Sequence, residues 1–406
     1  MMRKRKLMLF VSVAFVLLFN CFGAAKSFAE GVEADTPVNS TNEKIVYAPG
    51  VDEAMRSNPV TIPGRWIYSS AVGKWWYRHD DGSYTTNDWE YINGHWYHFD
   101  SSGWMQTGWL SVNDIWFFLR ADTGAMVTGW YKVQNQWYFF KPSGMMVTGW
   151  YNVMGYTYYF TQNGQYREST RRALVLGKDH STELDVDGWC SCFWEMSFKG
   201  DRFESVVQVY GPTMTEFNAM IREIAHETDE SDITYICITG DGDQSGNITI
   251  GTNTVITGQS LHTVLDQLNG KVIVFLSCNY SGTIIDRGEA NYPHMAFLSS
   301  FIEENRSGEL IDDKYIVICS SESDELSASY PFENSSFWYS AANRCWISAG
   351  GWDPLFYGNL QSMYADFDSN SIVSLDELYT YSSHILYEQH VVVYSDNSGF
   401  TIFARN

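Results

Sequence analysis

The segment 129–140, GWYKVQNQWYFF, predicts the fold of residues 64–166, because versions of it recur throughout that stretch. The copy before it reads GWLSVNDIWFFL at 108–119, and five such units follow one another about every twenty residues. A fixed period of this length marks stacked units that are each too small to bury their own apolar face. The aromatic runs predict strands, and Asn93-Gly94, Ser102-Gly103 and Ser143-Gly144 predict hairpin turns. The segment 64–168 is therefore predicted to be a solenoid of β-hairpins.

These repeats resemble the choline-binding, or cell-wall-binding, repeat family, whose consensus joins Gly-Trp, a short turn, an aromatic run and Gly-x-Met-x-Thr-Gly-Trp. In that family, aromatic side chains of successive hairpins form cages for the quaternary ammonium group of choline on wall teichoic acids. Ring faces attract such a cation by roughly 0.5–2 kcal/mol per ring. The resemblance implies three pairs of cage walls, each closed by an aromatic residue of the next hairpin: Trp89/Trp96, Trp109/Trp116 and Trp130/Trp137.

The fifth unit departs from this pattern, since Thr157 stands where a second Trp is expected seven residues after Trp150. For the first and fifth units, packing within the hairpins is the alternative explanation of the aromatic residues. The predicted partner of the repeats is choline-bearing teichoic acid or a related cell-wall polymer.

The N-terminus has the features of a secretory signal peptide. Arg3 to Lys6 are all basic, the stretch from Leu7 to Phe19 is apolar, and small residues precede Glu30. We therefore expect a signal peptide at 1–29 and a linker at 30–63, with an uncleaved membrane anchor as the alternative. After signal cleavage no membrane span is expected, and the protein is predicted to be secreted and associated with the cell wall or surface.

The charge of the chain limits its partners. There are 26 Lys and Arg against 48 Asp and Glu, which gives a formal net charge of −22. Binding to nucleic acid needs a basic surface, so nucleic acid is not expected as a partner. An acidic surface suits solubility and cation binding instead.

From Arg171 onward, strand-like apolar runs alternate with helix-like segments. Capping boxes at Thr213 to Glu216 and Ser374 to Glu377 mark the starts of two helices. Strands too apolar to be half exposed indicate a mostly parallel sheet covered on both faces. The segment 171–406 is therefore predicted to be a separate α/β domain, with function at the carboxyl ends of its strands. The strand-like runs are 173–176, 206–209, 233–238, 272–276 and 315–319.

Two of these strand ends resemble motifs of the caspase-like cysteine peptidases, including bacterial metacaspase-like proteins. The family motifs are Ser-Gly-His-Gly and Asp-Ser-Cys-His-Ser-Gly, and the matching segments here are TGDG at 239–242 and GKVIVFLSCNYSG at 270–282. The resemblance implies a three-layer caspase-like domain from Ala173 to about Leu386. It also places Asp241 at the position of the general base His, and Asn279 at that of the nucleophilic Cys.

These two replacements predict a catalytically degenerate domain. An amide cannot become a covalent nucleophile, and a carboxylate alone is not the imidazole that this chemistry uses. The leading prediction is a pseudoenzyme that binds a peptide or protein ligand or has a regulatory role. One alternative is an active cysteine endopeptidase, in which a bulge brings the neighbouring Cys278 into place as the nucleophile. The other is a structural wall protein.

A third motif, DFDSNSIVSLDE at 366–377, resembles the EF-hand calcium loop. The resemblance implies calcium as a cofactor, although Ser371 replaces the usual Gly at the sharp turn, where a Cβ is costly. The alternative is a solvated acidic loop that caps the following helix. The implied ligands are the side chains of Asp366, Asp368, Asn370, Ser374 and Glu377 and the carbonyl of Ile372.

Overall fold

The repeats fold into five antiparallel hairpins, as predicted. The computed structural model describes residues 60–196, 198, 202–284, 314–321, 326–327, 329–331, 338–349, 363, 365–386, 389, 391–395 and 399–404. The signal-peptide prediction and most of the linker prediction lie outside these residues. The hairpins are β1 (Gly64–Ser69) with β2 (Lys74–His79), β3 (Asp88–Ile92) with β4 (His95–Phe99), β5 (Gly108–Val112) with β6 (Ile115–Leu119), β7 (Gly129–Val133) with β8 (Gln136–Phe140), and β9 (Gly149–Val153) with β10 (Tyr156–Phe160), which also pairs with β11 (Tyr166–Arg167).

The second to fifth hairpins close through two-residue turns that need a left-handed backbone, whereas the first has a four-residue loop at 70–73. Asn93 and Gly94 have φ of 49° and 92°, and Asn113 and Asp114 have φ of 51° and 64°. Positive φ at both positions gives the mirror-image turn whose twist matches the flanking strands. Asn, Asp and Gly tolerate this region better than other residues, so the turn sequence and the hairpin agree.

Ser102-Gly103 and Ser143-Gly144 lie in turns, as predicted, and these turns bring Met105 and Met146 into antiparallel bridges with Phe99 and Phe140. They follow β4 and β8, however, and so connect successive hairpins instead of closing one. Gly144 has φ of 83°, and a Cβ at that position would overlap the side chain of Met126 in the preceding unit. The recurring Gly is therefore needed for close stacking of successive units. Gly124 meets Met105 and Gly164 meets Met146 in the same way.

Main-chain hydrogen bonds also join successive units. The N–H of Met126 donates to the carbonyl of Trp96 at 2.8 Å, and the N–H of Met146 donates to that of Trp116 at 2.8 Å. Each unit is thus held to its neighbour by backbone as well as by side chains, as in other solenoids.

The second half of the chain contains a six-stranded sheet in the order β13-β12-β14-β18-β19-β23. The first five of these strands are parallel and β23 runs antiparallel to β19, which confirms the prediction of a mostly parallel sheet. Its strands are β12 (Arg171–Gly177), β13 (Ser205–Tyr210), β14 (Ile233–Thr239), β18 (Lys271–Ser277), β19 (Tyr315–Cys319) and β23 (Val392–Tyr394). The smaller pairings involve β15 (Asp241–Gly242), β16 (Ile248–Gly251), β17 (Thr254–Ile256), β20 (Ser329–Pro331), β21 (Trp338–Ser340), β22 (Ile372–Ser374) and β24 (Thr401–Ala404).

Helices cover both faces of this sheet. The described helices are α1 (Glu183–Glu195), α2 (Met214–Glu227), α3 (Gly258–Leu265), α4 (Ala341–Ala349) and α5 (Leu375–Ile385), with 3-10 turns at His180–Thr182 and Ser281–Ile284. One core contains side chains of α1, α4 and α5, and the other contains side chains of α2 and α3. The predicted capping boxes are present at the starts of α2 and α5, at Thr213/Glu216 and Ser374/Glu377.

The fifth hairpin packs against the α/β domain. Thr157 and Thr401 form two reciprocal hydrogen bonds, in which the N–H of each residue donates to the hydroxyl of the other at 2.9 Å. The Thr401 hydroxyl lies 2.7 Å from the carbonyl of Gly155, to which it donates. The ring of Trp150 lies 5.6 Å from that of the buried Phe400. The small Thr157 therefore stands where other units have Trp because this face is covered by β24 and the residue before it.

Candidate functional site

The third hairpin presents the clearest of the predicted aromatic pairs. The rings of Trp109 and Trp116 lie 6.2 Å apart between centroids and are nearly perpendicular, at 84°. Both are partly open to solvent, with 38% and 46% of their surface exposed. Tyr138, from the fourth hairpin, lies 4.9 Å from Trp109. Rings of Trp116 and of Tyr138 from the next hairpin thus lie on either side of Trp109, and the two Trp rings are exposed.

The fourth hairpin repeats this arrangement. Trp130 and Trp137 lie 6.4 Å apart at 88°, and Tyr158 of the fifth hairpin lies 5.0 Å from Trp130. Tyr166 adds a further ring at 5.5 Å from Trp130. The ammonium group of Lys132 lies 5.5 Å from the Trp137 ring, so one of the rings already attracts a cation.

The second hairpin differs from the other two. Trp89 meets Phe117 of the third hairpin at 5.0 Å, as the pattern requires, but it also meets the ring of His98 at 5.0 Å. Trp96 packs on Tyr91, the residue opposite it on β3, at 5.4 Å. Both Trp side chains are half-buried. The second hairpin thus has the predicted aromatic residues, but their rings are less open to solvent than the Trp rings of the third hairpin.

The structure brings the two motif-bearing strand ends of the α/β domain together. β14 and β18 are paired, with Thr239 beside Ser277, and Gly242 packs directly on the backbone of Asn279. Asp241 is exposed, and its carboxylate forms an ion pair with the ammonium group of Lys178. The side-chain carbonyl of Asn279 accepts a hydrogen bond from the N–H of Ser327 at 2.9 Å. Asp241 and Asn279 therefore follow two neighbouring strands at the carboxyl edge of the sheet.

Cys278 lies inside the domain. Only 3% of its surface is exposed, and it belongs to the core between the sheet and helices α2 and α3. Burial, and secondly the negative charge of Asp241, raise the pKa of its thiol to about 12. A reactive cysteine needs a lowered pKa and access to substrate, so this environment disfavours Cys278 as a nucleophile. All six cysteines among the described residues are free and buried.

Sequence reasoning missed a buried polar group beside this edge. Asp185, on the first turn of α1, is only 2% exposed and accepts a hydrogen bond from the N–H of Ser340 at 3.1 Å. Burial raises the pKa of this carboxyl to about 7, against the opposing effect of hydrogen bonds from Asn343 and Ser340. The hydroxyl of Ser340 in turn lies 2.5 Å from that of Ser277 at the end of β18. No local pattern in the sequence distinguishes Asp185 from an exposed acid at the start of a helix.

The acidic loop brings its carboxylates together. Ligand oxygens of Asp366, Asp368 and Glu377 all lie within 4.8 Å of one another. The N–H of Asn370 donates to Asp366 at 3.0 Å, and Ser371 has φ of 67°, the conformation that the missing Gly would adopt. These oxygens are the donor atoms that a hard cation such as calcium prefers, so the residues present fit the group.

Glu377 also caps the following helix, as the alternative explanation of the acidic loop requires. One of its oxygens accepts hydrogen bonds from the N–H and hydroxyl of Ser374, both at 2.9 Å, and the other accepts from the N–H of Phe367 at 3.1 Å. The N–H of Ile372 donates to the side-chain oxygen of Asn370 at 2.7 Å. The loop is thus a helix cap whose oxygens converge.

Comparison with known proteins identifies the repeats. Residues 85–128 and 127–167 match the family model of the choline-binding repeat. The chain is similar to the crystal structure of choline-binding protein F from Streptococcus pneumoniae, with 40% identity over 26% of this chain and 35% of that one, at a TM-score of 0.25. It is also similar to the pneumococcal cell-wall endolysin from phage Cp-1 complexed with choline, with 43% identity over 27% of this chain and 32% of that one, at a TM-score of 0.23.

The chain therefore spans about a third of the length of these two structures. A search of curated proteins found no match. The prediction of choline-binding repeats is confirmed for 85–167. Within the part of the chain that the structure describes, no helix is long and apolar enough to cross a membrane.

Proposed function

We propose that this protein is a secreted, wall-associated protein that binds choline-bearing teichoic acid or a related polymer through its aromatic repeats. The observation that carries the proposal is the half-open group of three rings at Trp109, Trp116 and Tyr138, repeated at Trp130, Trp137 and Tyr158. Several ring faces attract a quaternary ammonium group, which cannot form hydrogen bonds. The family match of the repeats supports the same ligand.

The test is retention of the full chain on a resin that carries an immobilised quaternary amine. We expect the protein to be retained and to elute with free choline. Elution with the same concentration of sodium chloride separates cage binding from attraction of the acidic chain to a cationic resin. Equal elution by both salts would contradict the proposal.

The α/β domain is proposed to be a caspase-like binding or regulatory module without peptidase activity, with a peptide or protein ligand at the carboxyl edge of the sheet. The buried thiol of Cys278, together with Asp241 and Asn279 at the two motif positions, supports this proposal. We expect no turnover of peptide substrates by the unaltered protein. Turnover that disappears in Cys278→Ala would instead support the active endopeptidase.

Calcium is proposed as the ligand of the loop at 366–377. It would be held by the carboxylates of Asp366, Asp368 and Glu377, which converge. A ligand that binds only the folded state raises stability by mass action, so the melting temperature should be higher in millimolar calcium than in chelator. Glu377→Gln should abolish this difference, whereas Asp81→Asn in the repeats should leave it unchanged. Equal melting temperatures in calcium and chelator would leave the loop as a helix cap.

A further inference from the structure

A pocket lies between the second and third hairpins, beside the Trp89 position. Its volume is about 350 Å³, within the range of small-molecule sites, which is roughly 300–1,000 Å³. Leu110 and Val112 form an apolar side of the pocket and pack in the same cluster as Trp89 and Phe117. The remaining lining residues are all polar: Asn87, His98, Asp100, Ser101, Gln106 and Ser111.

The pocket is polar because the second unit departs from its sister units at two positions. His98 faces Trp89 across the hairpin, where the next two units have Phe118 and Phe139. The N–H of Gln106 donates to the carbonyl of His98 at 2.9 Å. Val127 and Val147 make the same bond, also at 2.9 Å, to Phe118 and Phe139.

An apolar Phe/Val contact is thus replaced by a hydrogen-bonded His/Gln pair. Nδ1 of His98 lies 2.5 Å from Oε1 of Gln106, and the imidazole is buried. Burial lowers the pKa of His98, which favours the neutral ring. A buried polar pair contributes less to stability than a well-packed apolar pair, so a His/Gln pair in the second unit, at positions that are Phe and Val in the third and fourth, favours a binding role there.

The lining indicates the class of ligand. Amide, imidazole and hydroxyl groups supply both donors and acceptors, whereas a quaternary ammonium ion can use neither. The carboxylate of Asp100 would repel a phosphate, and the ammonium group of Lys74 already lies 3.6 Å from that carboxylate. A neutral ligand with many hydroxyl groups and one apolar face satisfies all of these groups together.

We propose that this pocket binds a saccharide unit, with its hydroxyl groups toward the polar lining and its apolar face toward Leu110 and Val112. This inference deepens the proposed function, because the sugar would belong to the wall polymer whose choline groups occupy the aromatic cages. A sugar of teichoic acid and a sugar of the peptidoglycan glycan strand share this chemistry.

The experiment is saturation-transfer NMR on the full chain with D-glucose, D-galactose, N-acetyl-D-glucosamine and N-acetyl-D-galactosamine, in the presence of saturating choline. We expect at least one of these sugars to receive saturation. Inorganic phosphate should not displace it. Oligosaccharides from peptidoglycan strands and choline-free teichoic acid fragments are then used as competitors, and the stronger competitor identifies the source of the sugar.

Two variants test the pocket itself. The double change His98→Phe with Gln106→Val restores the apolar pair of the sister units and should weaken sugar binding about tenfold or more, as expected for the loss of one or two hydrogen bonds. Asn87→Gly should also weaken it. Asn113→Gly is the matched control, because Asn87 and Asn113 have φ of 49° and 51° and only Asn87 lines the pocket.

No saturation of any of the four sugars, displacement by phosphate, or equal binding by wild type and Asn87→Gly would overturn the inference. Elution of the unaltered protein by choline is an independent measurement from sugar binding. Elution by choline without sugar binding contradicts the pocket alone. Sugar binding without elution by choline contradicts the aromatic cages and leaves the pocket supported.

Discussion

The third and fourth hairpins and the carboxyl edge of the large sheet arrange their distinctive residues in opposite ways. The hairpins expose large aromatic rings, such as Trp109 and Trp116, that a folded protein normally buries. The sheet edge instead buries the carboxyl of Asp185, a group that a folded protein normally exposes, and keeps the thiol of Cys278 in the core, where free cysteines commonly lie. Exposed rings remain available to a ligand, whereas the buried thiol and carboxyl are available only to their neighbours.

This difference indicates where binding chemistry resides. Open ring faces support ligand binding by the repeats without a conformational change. At the sheet edge, the exposed Asp241 is paired with Lys178.

The largest expected effect is on thiol reactivity. The pKa of Cys278, raised from 9.0 to about 12, should lower its thiolate fraction at pH 8 about a thousandfold relative to an exposed thiol. Labelling with a thiol reagent, followed by mass spectrometry, measures the rate. An exposed reference thiol, introduced as Thr128→Cys, should react at the normal rate. Equal rates for the two thiols would show that Cys278 is accessible, and the sheet edge would then be as open to ligands as the exposed hairpins.

A pH effect of about 4 kcal/mol is expected from Asp185. Its pKa in the folded protein, about 7, lies above the unfolded value of about 3.9, so the folded state keeps a proton that the unfolded state has lost. The contribution to stability is full below about pH 4 and is lost as the pH rises to 7. By pH 5 about 1 kcal/mol of this contribution is already lost, so urea unfolding at pH 5 and pH 8 should show a loss of about 3 kcal/mol in wild type and much less in Asp185→Asn. The same loss in both proteins would refute the assignment.

Loss of one cage should weaken choline binding by about 1–4 kcal/mol, the combined contribution of two rings. The change is Trp109→Ala with Trp116→Ala, measured as the choline concentration needed for elution from the amine resin. Trp150→Ala is the control, because Trp150 packs on Phe400 and not in an open cage. An equal effect of the control would remove the distinction between open and docked hairpins.

At the docked hairpin, Thr401→Val should destabilise the protein by about 1–3 kcal/mol for each polar group left unsatisfied. It removes the acceptor of the Thr157 N–H and the donor to the carbonyl of Gly155. Thr128→Val, at an exposed threonine of the repeats, should change little. Chemical unfolding of both variants measures the difference, and similar free energies would show that the junction contributes no stability.

The smallest effect distinguishes the two kinds of Gly in the repeats. Gly144 and Gly129 both have positive φ, 83° and 73°, but only at Gly144 would a Cβ overlap a neighbour, the side chain of Met126. Gly144→Ala should therefore cost about 1 kcal/mol more than Gly129→Ala in thermal or urea unfolding. Equal costs would mean that backbone conformation alone requires these glycines.

Local patterns predicted much of this structure. The twenty-residue period located all five hairpins, and the apolar run at 233–238 predicted a parallel strand that the structure places in the centre of the sheet. Capping boxes located the starts of two helices because the reciprocal hydrogen bonds involve residues three apart. Each of these signals is contained within a short segment.

Contacts between distant segments could not be predicted in this way. Thr157 and Thr401 are separated by 244 residues, and neither has a neighbour in sequence that indicates the other. The departure of Thr157 from the repeat pattern was visible, but its cause, docking against β24, was not. The pocket beside His98 was missed for a related reason, since it needs residues of two hairpins and a comparison of equivalent positions in three.

The docked fifth hairpin also determines how mechanical load crosses the protein. If the wall polymer holds the second to fourth hairpins, tension on the α/β domain must pass through the fifth. There the two reciprocal Thr157–Thr401 hydrogen bonds, each 2.9 Å long, join the same two residues and share the load. The contacts of Asn152 with the carbonyl of Gly399 and of Trp150 with Phe400 lie beside this pair and oppose rotation about it. The α/β domain is consequently held in a fixed orientation relative to the polymer that binds the repeats.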